Sequence, residues 1–140
     1  MVLADGAGTP LGVHLEKASP SEVKLVEATL AQVRVRTGPR QRGKPNRLIG
    51  DRGYDSNRVR AFLVKRGIEP IIPARSNNTV ATHQDGRKLR RYQRRWIIER
   101  SNSWLQTFRR LVVRYERSEK RFAALVHMAC VLITLKRVLG

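Results

Sequence analysis

Apolar positions alternate at the start of the chain. Val2 and Leu3 precede the turn-forming run Asp5-Gly6-Ala7-Gly8-Thr9-Pro10, and Leu11, Val13 and Leu15 then recur at period two. This pattern predicts two short strands joined by a Gly-rich turn. Ser19-Pro20-Ser21-Glu22 is a helix-start signal, and Val23, Val26, Leu30 and Val33 follow at three- and four-residue steps, so a helix is expected over 20–35. Residues 37–46 form a polar, basic linker, and 47–50 (Arg-Leu-Ile-Gly) read as a short buried strand. Asp55-Ser56 is expected to cap a second helix with Val59, Phe62 and Leu63 on one face and Gly67 as its stop. Residues 70–73, bounded by prolines, read as another short strand.

A polar loop over 74–86 follows, then a long basic helical stretch over 87–114. After a break at 118–120, a mostly apolar helix is expected over 122–139. The order β-β-α-β-α-β-α-α places the chain in the α/β class, as a mixed sheet flanked by helices. The 140 residues suit one domain, 1–140.

Charge narrows the field. The 29 Lys and Arg against 11 Asp and Glu leave +18 at pH 7, which favours a polyanionic partner, nucleic acid first. Arginine outnumbers lysine 22 to 7, and its planar fork grips phosphates bidentately. A single cysteine, Cys130, excludes a disulfide framework within the chain and a Cys-based zinc site. His14, His83 and His127 are too scattered for a metal cluster. No signal peptide is visible, and 122–139 is interrupted by His127, Lys136 and Arg137, so no membrane partner is expected and a cytoplasmic, DNA-associated setting is.

The long basic helix carries the candidate chemistry. At ~100° per residue, Tyr92, Arg95, Glu99 and Gln106 fall within a ~60° arc, while Ile97, Trp104, Phe108 and Leu111 fall opposite. Glu99 is then either an i−4 partner of Arg95 or an acidic group on a phosphate-binding face, which is tolerable only with a divalent cation between the two anions. Asp51, just after the strand 47–50, is either a turn residue or a ligand-facing carboxylate at the carboxyl end of that strand. Asp5 reads as a turn residue.

With these residues in place, the chain resembles a family. Residues 50–55, Gly-Asp-Arg-Gly-Tyr-Asp, resemble the D-[RK]-G-Y-D block of bacterial insertion-sequence DDE transposases, and 91–100, Arg-Tyr-Gln-Arg-Arg-Trp-Ile-Ile-Glu-Arg, match their Y-x2-R-x3-E signature. The nearest group is the insertion-sequence-4/5-like superfamily. The resemblance implies an RNase H-like fold in which three carboxylates surround two Mg²⁺ ions (Mn²⁺ as a substitute) for in-line attack on a phosphodiester. Asp51 corresponds to the second acidic residue and Glu99 to the third, both as catalytic metal ligands. Tyr92 and Arg95 correspond to DNA-holding positions. Gln106 stands where the signature has Lys.

No candidate exists for the first acidic residue, so the chain resembles the C-terminal part of the catalytic domain, lacking its first strand. It is expected to be inactive alone and active in the complete enzyme. Arg100, Arg109 and Arg110 are expected to contact phosphates. The expected partners are double-stranded DNA (terminal inverted repeats and target) and either the upstream transposase segment or a second copy. The alternative is a non-catalytic basic DNA-binding remnant that modulates intact transposase.

Overall fold

A computed structural model describes residues 1–16, 22–34, 44–77 and 90–140. The predicted start of the first helix, most of the 37–46 linker, much of the 74–86 loop, His83 and the residues 87–89 lie outside them. The chain opens with strands β1 (Val2–Ala4) and β2 (Pro10–Val13), paired antiparallel. Asp5 forms the turn between them: its Oδ1 accepts the backbone N–H groups of Ala7 and Thr9, both at 2.8 Å. Leu15, expected in the second strand, lies beyond it and is exposed.

Helix α1 (Glu22–Ala31) follows, then β3 (Arg47–Ile49), a 3₁₀ turn (Arg52–Tyr54), α2 (Asn57–Lys65) and β4 (Glu69–Ile71). β3 and β4 pair in parallel, the arrangement that a helical crossover such as α2 permits. Gly67, at φ +67°, stops α2 as its spacing predicted.

Two expectations are corrected here. The strands among the described residues form two separate two-stranded sheets, not one mixed sheet. The helix expected over 87–114 is broken. Its first part is a 3₁₀ helix (Arg90–Arg95), its middle is α3 (Trp96–Gln106), and a short α4 (Arg109–Val112) follows. At the second break Phe108 has an extended backbone (φ −86°, ψ 100°), and it packs against the cluster of Leu105, Ala129 and Ile133. The last helix, α5 (Glu119–Leu139), begins slightly earlier than expected.

One apolar cluster joins α1 (Val26, Leu30), β3 (Leu48), α2 (Val59, Leu63), Ile68 and Ile72, with Met1, Leu3, Tyr54 and Phe62 packed on it. A second joins Leu105 to Ala129 and Ile133 of α5, with Val2, Trp104, Phe108, Leu111 and Cys130 against it. Cys130 is therefore packing, and burial pushes its thiol pKa up. The opposite side of α5 is uncovered: Met128, Val131, Leu132, Leu135, Val138 and Leu139 are all exposed. By length and composition α5 is long and apolar enough to cross a membrane, but its stripe Val126–Ala129–Ile133 faces the protein core.

Candidate active site

Asp51 sits directly after β3, and its position follows from the turn it starts. Its Oδ1 accepts the N–H of Arg52 and caps the 3₁₀ turn, while the backbone N–H of Tyr54 donates to Asp51 O at 2.9 Å. A capped turn fixes the side chain, and its other oxygen, Oδ2, accepts from Arg95 Nη1. The turn reading of Asp51 is thus seen directly.

The turn is braced from below. Arg75 donates through Nη2 to Gly53 O (2.7 Å) and through Nε to Arg52 O (3.1 Å). Its backbone N–H donates to Asp55 Oδ2 at 2.7 Å, and Arg60 Nε donates to Asp55 Oδ1 at 2.8 Å. Arg60 also reaches Ile72 O at 2.7 Å. The Asp55 side chain is 0% exposed, so this buried pair survives only because its lone pairs are satisfied. That corrects the expectation for Asp55. Ser56 is the N-cap of α2, and Asp55 instead ties α2 and the turn to the segment after β4.

Opposite the turn, Tyr92 and Arg95 lie three residues apart in the 3₁₀ helix, where positions i and i+3 eclipse. They therefore share a side even though the stretch is not α-helical. Arg95 Nη1 donates to Asp51 Oδ2 at 2.8 Å, and Nη2 donates to Glu99 Oε1 at 2.8 Å. Tyr92 OH lies 3.3 Å from Asp51 Oδ1. Two carboxylates distant in sequence thus meet on one guanidinium. Tyr92, Asp51 and Glu99, in that order, raise the pKa of Arg95, so it stays fully charged. Asp51 and Glu99 are 50% and 58% exposed, open enough for a ligand to reach them.

The remaining candidates are placed unequally. Gln106 ends α3 on the surface, and Arg109 and Arg110 are exposed on α4, with Arg110 Nε 3.9 Å from Glu116 Oε1. Arg100 points elsewhere. It donates to Ala7 O at 2.8 Å, with its guanidinium carbon 4.7 and 5.0 Å from the ring centroids of Trp96 and Trp104. Beside it the Ser101 hydroxyl lies 2.8 Å from Gly8 O, so together they fasten the β1–β2 turn to α3. Neither Arg75 nor Ser101 carried a sequence signal, because one sits in an aperiodic loop and the other is a lone polar residue within a helix.

A turn-borne Asp, a Tyr-Arg-Glu surface and a strongly basic chain define a class, and comparison with known proteins agrees. The transposase DDE domain family matches residues 1–134, and this chain belongs to that family. A protein of Burkholderia cepacia, assigned as the transposase for insertion sequence element IS402, is 38% identical over 143 residues; the match covers 97% of this chain but only 63% of that protein's length. No solved structure matches.

Proposed function

We propose that this chain is the C-terminal part of an RNase H-like transposase catalytic domain of the insertion-sequence-4/5-like superfamily, acting on double-stranded transposon ends and target DNA. One observation carries the reading: Asp51 and Glu99 converge on a single cation, the Arg95 guanidinium. The donor chemistry fits a divalent metal. Mg²⁺ binds through one or two carboxylates and completes its shell with water and phosphate oxygens, and these two carboxylates are exposed and already matched to positive charge. Among the described residues no group of three metal-binding side chains forms. A two-ion site would need a third carboxylate from a segment outside these residues. Held by Asp51 and Glu99, Mg²⁺ or Mn²⁺ would supply Lewis-acid activation of the attacking hydroxyl and stabilisation of the leaving oxygen.

The chain's own residues do the positioning. Asp51 is held by the capped turn, and Glu99 by the first turn of α3. Arg95, released from the carboxylates, offers its fork to a phosphate, and Tyr92 stands beside it. Gln106, at the end of α3, and Arg109 and Arg110, on α4, are exposed and would make sequence-independent phosphate contacts. Arg100 belongs to the scaffold, since Ala7 O and two indole rings already engage it.

The test is a chimera in which this chain replaces the matched stretch of the Burkholderia protein, assayed for Mg²⁺-dependent nicking of element ends. Asp51→Ala and Glu99→Ala should each lower nicking at least 100-fold while leaving salt-sensitive DNA binding in place. Unchanged nicking in either variant would remove that residue from the active site. Full DNA binding with no nicking by the unmutated chimera would favour the DNA-binding remnant instead.

A further inference from the structure

Between α4 and α5 the chain runs through an irregular connector, residues 113–118, that leaves apolar side chains in water. Tyr115 is 72% exposed, and Val112 and Val113, at the junction with α4, are 60% and 50% exposed. A tyrosine ring carries a large apolar area that burial rewards. Three such neighbours together, uncovered on a strongly charged chain, mark a contact surface rather than scattered exposure.

The connector is tied at its ends and in its middle. Val113 N–H donates to Arg109 O at 2.9 Å, and Phe122 N–H to Ser118 O at 3.1 Å. Arg114 folds back, donating through Nε to Glu116 O at 3.1 Å, with its guanidinium carbon 4.9 Å from the Phe122 ring centroid. Glu116 turns inward: its side chain is only 12% exposed, and its Oε1 lies 3.9 Å from Arg110 Nε. Tyr115 stands between these two braced residues and is held out into solvent.

The surroundings decide the partner. Arg109 and Arg110 before the connector, and Arg117, Lys120 and Arg121 in and after it, are exposed, against one exposed acid, Glu119. Apolar tips rimmed by arginines match duplex DNA, where the cations take phosphates and the tip enters a base step from the minor groove. We infer that this connector is a DNA wedge: Tyr115, followed by the two valines, inserts into a duplex and partly unstacks it, while Arg109, Arg110 and Arg117 grip the flanking phosphates. None of these residues belongs to the carboxylate site. The choice of DNA over an anionic membrane, which would satisfy the same charges, rests on the proposed function. Unstacking is the main cost of insertion, so the wedge favours steps that are already weakened.

The experiment uses the isolated chain without metal and two short duplexes of equal length. One is fully paired; the other has a central mismatch beside a fluorescent adenine analogue. The chain should bind the mismatched duplex at least about fivefold more tightly, and the analogue should brighten on binding. Tyr115→Ser should erase both effects with the salt slope and the circular dichroism unchanged. Arg117→Ser should do the opposite, lowering the salt slope by about 1 and keeping the preference. If Tyr115→Ser fails to fold, the preference and brightening in the unmutated chain decide the matter alone. Equal binding of both duplexes by the unmutated chain would overturn the inference, as would a preference that survives Tyr115→Ser. Tighter binding to single strands or to phosphatidylglycerol vesicles than to either duplex would overturn it too. A mismatch preference alongside an inactive chimera would sink the proposed active site and spare the wedge; an active chimera with equal binding would do the reverse.

Discussion

Helices α2 and α5 both put apolar residues at helical spacing, yet they use them differently. The nine residues of α2 bury Val59 and Leu63 almost completely, at 1% and 0% exposure, between α1 and the β3–β4 sheet. The 21 residues of α5 bury only Val126, Ala129 and Ile133, while Val138 on another side is 74% exposed. Apolar content therefore does not measure how much a helix contributes to stability. What matters is whether neighbours enclose it on more than one side.

The most direct way to break this contrast is Leu63→Ala. With no exposed surface to relax into, the cavity should cost about 3–4 kcal/mol, read as a lower urea midpoint. A loss below ~1 kcal/mol would mean that the enclosure around α2 is loose. A smaller effect is expected where the two halves are fastened. Gly8 has φ +86°, and a Cβ there would lie 3.1 Å from Ser101 Oγ and 3.2 Å from Arg100 Nη2. Gly8→Ala should cost roughly 1–2 kcal/mol and speed exchange at the β1–β2 turn amides. An unchanged midpoint and exchange rate would show that the turn is not fixed to α3.

Much of this was legible in the sequence, for reasons that differ by residue. Gly67 and the Asp5 turn follow from local chemistry, which needs no tertiary knowledge. Tyr92, Arg95 and Glu99 share a surface whether the helix is 3₁₀ or α at its start, so that expectation tolerated a wrong helix type. The break at Phe108 was not legible, because residues 107–110 keep a helical pattern and Ala129 and Ile133, in the cluster Phe108 packs against, lie far along the chain. Asp55 misled for a similar reason. An Asp before Ser-Asn reads as a cap, and its true partners, Arg60 and the Arg75 amide, become visible only when the chain after β4 returns to it. Local rules sufficed where neighbours in sequence supply the partner, and failed where distant ones do.

The smallest expected effect sharpens the contrast most. Val138 lies in the last turn of α5, largely in water, and a surface change away from any cap or core should move stability by no more than ~0.5 kcal/mol. Val138→Asn should therefore leave the urea midpoint unchanged, and by reducing an exposed apolar stripe it should also raise solubility. The same substitution at Ile133, five residues earlier but turned into the cluster with Leu105 and Ala129, would place an amide among apolar side chains. If Val138→Asn destabilised the chain by 2 kcal/mol or more, the uncovered side of α5 would be closed in solution, and the helix would belong with α2 among the enclosed elements.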